Sequence, residues 1–204
     1  MKKMFVIILL LIAAGCTSVE KINRNNLSSQ SFSKDQISLV MAADSLTPMR
    51  VLSINNNVDS LILRSQSLDV VVNPSDPVLQ NLVKRLYATV NDSLTAGVGI
   101  AAPQVGILKN IIWVQRYDKP GFPFEVYLNP KIKQYTKKKL NWLEGCLSIP
   151  GRSDTTKTRS FAILLEYDQL DKSHQIEMVE GFTAIIFQHE IDHLNGILYL
   201  DRLK

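Results

Sequence analysis

A chain of 204 residues with 46% hydrophobic and 21% charged residues can bury one domain's core, and it falls outside both the disordered and the multi-span membrane classes. Its net charge of +4 drops to +2 once residues 1–15 are set aside, since these hold Lys2 and Lys3 and no acid, so charge gives no case for a nucleic-acid partner. Two cysteines, Cys16 and Cys146, cannot build a disulfide framework, and each has a separate use.

Met1 to Lys3 is a short basic segment and Phe5 to Ala14 an unbroken apolar run. The run is shorter than the roughly 20 residues a membrane-spanning helix needs, but it suits a secretory signal. Ile12-Ala13-Ala14-Gly15-Cys16 then resembles a bacterial lipobox, in which cleavage precedes a cysteine that becomes acylated. The expected organisation is a signal peptide over 1–15, a lipidated Cys16 with a polar tether over 16–45, and a folded domain over 46–204. Thr17 to Gln36 is rich in Ser and Asn with no apolar period, as a tether would be, and residues 37–49 allow a short lead-in helix.

Asp76-Pro77 reads as a helix start, an N-cap carboxylate followed by proline at the first helical position. Val78, Leu79, Leu82, Val83, Leu86, Tyr87 and Val90 follow at helical spacing, and core packing accounts for that stripe. Ile111 to Gln115 and Phe124 to Leu128 read as short strands. Lys131, Lys133, Lys137, Lys138 and Lys139 have only Tyr135 among them, which fits a solvated surface better than a nucleic-acid patch. Phe161 to Tyr167 and Ile176 to Glu180 read as a strand pair, and a last helix runs from Gly181 to Leu194, ended by Asn195-Gly196. The order predicts an α+β domain of mostly antiparallel sheet packed on a central C-terminal helix.

That helix carries Gln188-His189-Glu190-Ile191-Asp192-His193. Histidines four apart lie about 40° apart around a helix axis, so both imidazoles reach one ion, and Glu190 sits about 60° from His193, near enough to act on a water there. A hydrolytic metal site needs a third protein ligand and an open position. His174 falls in an apparent hairpin turn and reads as a surface residue, and Asp201 is the sole carboxylate after His193. Upstream, Cys146 is the natural candidate, although a lone cysteine is more often a small buried residue.

Two further segments change that balance: Gly97-Val98-Gly99-Ile100-Ala101-Ala102-Pro103-Gln104 and Glu144-Gly145-Cys146-Leu147-Ser148. With the helix motif they appear in the order and spacing of the peptide deformylase family, which the chain resembles from about Arg50 to Leu203. The resemblance implies that Cys146, His189 and His193 bind one divalent ion, Fe²⁺ first, with Zn²⁺, Ni²⁺ or Co²⁺ suited to the same donors. It implies that Glu190 is general base and then general acid. Gln104 and the backbone N–H of Leu147 would hold an oxyanion, and Gly99 would let the substrate backbone approach. The implied reaction removes formyl from N-formylmethionyl peptides as formate, by a monomer that binds no nucleic acid and touches the membrane only through an acylated Cys16. Arg159 would pair with Glu144, although Lys157-Thr158 before it departs from the family's usual run.

Deformylation of nascent chains belongs to the cytoplasm, whereas this N-terminus points to the cell envelope. The substrate is therefore an envelope formyl-peptide, or the segment stays uncleaved with the domain inside, or another N-acyl group is cleaved. Two rival functions share the motifs: a zinc peptidase, and an envelope lipoprotein that binds metal or formyl-peptide without turnover. The Cys146 and Gln104 segments count against the first and Glu190 against the second.

Overall fold

The computed structural model describes residues 31–93 and 97–203, so the expected signal peptide and Cys16 lie outside the described residues. Helix α1 (Lys34–Met41) opens with a reciprocal capping box: the Gln36 amide donates to Ser33 Oγ (3.2 Å) and the Ser33 amide to Gln36 Oε1 (3.0 Å). Its last carbonyls are met by Arg85, which donates to the oxygens of Leu39 (3.0 Å) and Val40 (2.9 Å), while Asn81 also donates to Val40 (2.9 Å). Val40 is fully buried. The polar tether expected over 16–45 therefore needs correction: from Ser33 the chain is folded onto the domain. The short lead-in helix allowed over 37–49 is thus present but starts earlier, and only Val40 of it is buried.

Helix α2 (Asn57–Leu63) was not expected; Asn56 caps it, and it buries Leu63. Helix α3 (Pro77–Val90) begins where Asp76 accepts from the Val78 amide, as its sequence indicates. Five strands, β1 (Gly99–Ala101), β2 (Ile111–Gln115), β3 (Phe124–Tyr135), β6 (Ala162–Asp168) and β7 (His174–Glu180), form one antiparallel sheet in the order β1-β2-β3-β6-β7. Strand β3 runs on through the first lysines of the basic stretch, past a register shift at Asn129-Pro130. Proline tolerates that irregularity because it has no N–H to offer the ladder. Strands β4 (Lys139–Cys146) and β5 (Ile149–Ser160) form a separate two-stranded sheet. Their mostly exposed polar residues hid them from hydrophobic patterning.

Alternation along the strands feeds two cores. Ile100 and Ile111 face α3 and its stripe, whereas Ala101, Ile112 and Val114 face helix α4 (Gly181–Leu194) with Phe187 and Ile191. The α+β arrangement around a C-terminal helix is the one the sequence predicts. Helix α4 is buried along most of its circumference, as a helix packed between a sheet and a second ribbon must be. Among the described residues no helix is long and apolar enough to cross a membrane.

Phe187 is fully buried, with its ring edge-on to Tyr127 at 4.7 Å. Phe187→Ala is expected to lower unfolding free energy by about 3–5 kcal/mol in urea titrations. A loss below about 1 kcal/mol would contradict this packing.

Candidate metal centre and active site

One helical turn separates His189 from His193 and brings their ring centroids to 5.0 Å. Strand β4 delivers Cys146 at its end, where the pairing with β5 slips between Gly145 and Cys146. Its Sγ lies 3.2 Å from His193 Nε2, and donor atoms of Cys146, His189 and His193 all fall within 4.8 Å of one another. The glycine-rich segment becomes β1 and a short 3-10 turn, Ala102–Val105. There Gln104 Oε1 accepts from the Ala101 amide (2.9 Å), which turns its Nε2 toward Cys146 Sγ (3.6 Å) and Ser148 Oγ (3.3 Å).

Gly99 faces Glu190 so closely that an added Cβ would sit 2.5 Å from Oε1. Any larger residue there would force the Glu190 side chain, whose Cγ and Cδ also lie 3.0 Å from that position, to move. A cavity of about 670 Å³ opens over the group, with Cys146, His189 and Glu190 at its base, Gly99, Gln104 and Leu147 at its side, and Trp142 and Phe182 in its wall. All seven predicted site residues line the cavity or belong to the Cys-His-His group beneath it. His174 stands apart on the surface, as expected, but at the start of β7 rather than in the turn, and it hydrogen-bonds Asp168 (2.8 Å).

The group is braced from behind. His189 Nδ1 bonds Glu144 Oε2 (2.8 Å), and Glu144 accepts two bonds from Arg159 (2.8 and 2.9 Å) and one from the Thr156 hydroxyl. Arg159 also donates to Asp192 (2.6 Å), which receives Arg202 as well (2.6 Å). The Arg159–Glu144 pair was expected; Asp192, Arg202 and Thr156 were not assigned a part. Gln188 holds the strand corner by accepting from the Ser160 amide (2.8 Å) and donating to its carbonyl (2.9 Å). These partners are distant in sequence, and the only signal for them was that polar residues on a buried helix need company.

Burial pushes the Cys146 thiol up, but the charge of His193 and hydrogen bonds from both imidazoles outweigh it and hold it well below the usual thiol range. Burial alone would push His189 down, yet Cys146 and Glu144 raise it to about 10. Glu144, despite burial, is drawn to about 2 by His189 and Arg159. Glu190 goes the other way: burial drives it up to about 7 against the pull of the two histidines.

These donors fit a single divalent cation. A thiolate and two imidazoles converge, and Glu144 occupies His189 Nδ1, which leaves Nε2 to face an ion. Glu190 Oε2 is buried without a hydrogen-bond partner among the described residues, as a carboxylate waiting on a water would be. Arg159→Leu removes the one guanidinium shared by the two buried carboxylates, leaving Glu144 on His189 and Thr156 and Asp192 on Arg202 alone. It is expected to cost about 3–5 kcal/mol of stability by chemical denaturation and to weaken metal retention about 10- to 100-fold in chelator competition. Unchanged stability and metal content would remove the brace assigned to it.

Comparison with known proteins agrees with the geometry. The sequence model of the polypeptide deformylase family matches residues 49–204. Peptide deformylase of Leptospira biflexa is 35% identical over 167 residues, covering 76% of this chain and 87% of the relative. That of Desulforudis audaxviator is 39% identical over 141 residues, covering 69% and 86%. Among solved structures, the Met-Ala-Ser-bound class I type b peptide deformylase of Acinetobacter baumannii superposes with a TM-score of 0.68 at 33% identity, covering 76% of this chain and 98% of that one. Peptide deformylase of Thermotoga maritima gives 0.67 at 30% identity, covering 77% and 98%. With the family match spanning the whole cavity and its brace, this chain belongs to the polypeptide deformylase family.

Proposed function

We propose that the chain hydrolyses N-formylmethionyl peptides to formate and a free amino terminus, with Cys146, His189 and His193 holding one divalent ion. The observation that carries this reading is the buried Glu190, whose Oε2 has no hydrogen-bond partner among the described residues, beside a convergent Cys-His-His group. A pure binding module has no use for that group, and a zinc peptidase has none for the Gln104 and Cys146 loops.

When bound, the ion supplies Lewis-acid stabilisation of charge on the formyl oxygen and lowers the pKa of water at the site. Glu190 takes the proton from the attacking water as its oxygen adds to the formyl carbon. Charge builds on the formyl oxygen, and the Gln104 amide, fixed by Ala101 and Ser148, donates to it together with the Leu147 N–H. As the carbon–nitrogen bond breaks, Glu190 returns its proton to the departing amine. Atoms balance as amide plus water giving formate and amine. Gly99 leaves the approach to the carbonyl clear of any side chain.

Fe²⁺ is the ion proposed, since a thiolate with two imidazoles suits it and charge from the sulfur tempers the metal. The protein is proposed to act as a monomer in the cell envelope, anchored through an acylated Cys16, on formyl-peptides that reach that compartment. The support for this location is the sequence of residues 1–16.

Formate release from formyl-Met-Ala-Ser by anaerobically iron-loaded protein tests the reaction. Glu190→Ala is expected to cut kcat at least about 10³-fold while keeping the metal, and chelation to abolish turnover reversibly. No formate from folded, metal-loaded protein would sink the reading. For the anchor, full-length protein should partition with membranes and carry a fatty-acyl mass on Cys16, and Cys16→Ala should be soluble. Membrane association that survives Cys16→Ala would eliminate lipidation as its cause.

A further inference from the structure

Three residues of β5 have no opposite number on β4. Cys146 pairs with Ile149, yet its neighbour Gly145 pairs with Ser153, so Pro150, Gly151 and Arg152 loop out as a bulge. Gly151 permits the loop with a φ of +74°, a region that disfavours any side chain. All three residues are exposed, and all three line the active-site cavity just beyond Cys146 and Leu147. A segment without ladder partners keeps one position only where other groups hold it.

Tyr199 supplies that hold. It opens a 3-10 turn (Tyr199–Arg202) shortly after α4 ends, and it is 1% exposed. Its hydroxyl donates to the Arg152 carbonyl (3.2 Å) and lies 3.3 Å from Asp154 Oδ2. Asp154 in turn takes the Arg152 guanidinium (2.7 Å). Burial, reinforced by the Asp154 charge, pushes the phenol up to about 12, so the hydroxyl stays a donor at neutral pH. The ring lies 6.1 Å from that of His189 with planes 22° apart, and it packs in one cluster with Ile149 and Leu198. A phenylalanine would fill the same space without the cost of burying a hydroxyl. What the oxygen adds is the contact with the bulge. Tyr199 itself does not line the cavity, so it acts through the residues that do.

We propose that Tyr199 is a positioning residue for substrate binding: its hydroxyl fastens the Pro150–Arg152 bulge as a wall of the active-site cavity. The clamp serves the fit of the bound peptide and leaves the proton transfers of Glu190 alone. Without it the bulge opens for part of the time. Affinity then falls with the fraction of molecules whose wall is in place.

This inference rests on the deformylase reading, and the test separates the two. Iron-loaded full-length protein and its Tyr199→Phe variant are compared on formyl-Met-Ala-Ser, with amide hydrogen exchange of residues 151–154 followed alongside. The variant is expected to raise KM about 5-fold while kcat and metal content stay within about 2-fold, as loss of uniform binding requires. Exchange over the bulge is expected to quicken about 5-fold, with that of α4 unchanged. An unchanged KM overturns the clamp, and so does unchanged exchange over the bulge. A fall in kcat together with loss of metal assigns the phenol to support of His189 and overturns it too. No formate from the wild-type protein overturns the deformylase reading and the binding role together, whatever the exchange shows.

Discussion

A helix buried along most of its circumference cannot carry Gln188, His189, Glu190, Asp192 and His193 unless each finds a partner, and the rest of the molecule is arranged to supply them. Gln188 takes the Ser160 backbone, His189 takes Glu144, Asp192 takes Arg159 and Arg202, and His193 faces Cys146. An orphaned buried polar group costs about 1–3 kcal/mol and a buried charge more, so each of these partners is fixed by the helix as firmly as by its own strand. Two atoms on this helix stay without a hydrogen-bond partner among the described residues, Glu190 Oε2 and His193 Nδ1. Both belong to the site itself: His193 is one of the converging donors, and Glu190 is the residue given the proton-transfer role.

The same constraint accounts for a ribbon with little core of its own. Strands β4 and β5 are polar along much of their length, yet they bring Cys146, Glu144, Thr156 and Arg159 to one end of α4. Apart from Ile149, their buried residues are ionic or hydrogen-bonding rather than apolar. Arg159 spans Glu144 on the ribbon and Asp192 on the helix, so sulfur and imidazoles are held in register through a single guanidinium. Gln104 arrives from the opposite side, its orientation set by Ala101, and Gly99 is kept bare by the nearness of Glu190. The cavity is thus lined by three chain segments, and Gln104 joins two of them directly through Ser148.

Legibility in the sequence followed the physics of each element. Helix α3, strand β2 and helix α4 were readable to the residue, because a long apolar stripe with a capping aspartate, a β-branched run and a glycine stop act within a few residues. Helix α1 was legible only as a lead-in helix within 37–49, its start merged with the tether, because only Val40 of it is buried and its C-terminal carbonyls are satisfied from α3 rather than locally. Strand β3 ran longer than its apolar segment because β6 pairs with its basic half as well.

By itself the sequence determined the identity of the chemistry: two histidines and a glutamate at helical spacing, a cysteine and a glutamine in loops of recognisable pattern, and the secondary structure that carries the first set. These are local facts, set by the pitch of a helix and the residue types a metal and an oxyanion demand. Only the tertiary structure decided how close Cys146 Sγ comes to His193, that Asp192 joins the Arg159–Glu144 pair in one brace, and that Trp142, Phe182, Tyr117 and Phe122 line up from cavity to surface. Those contacts join residues tens of positions apart, and they form because buried polar groups and exposed rings are paired by the packing of whole elements, which no local pattern encodes.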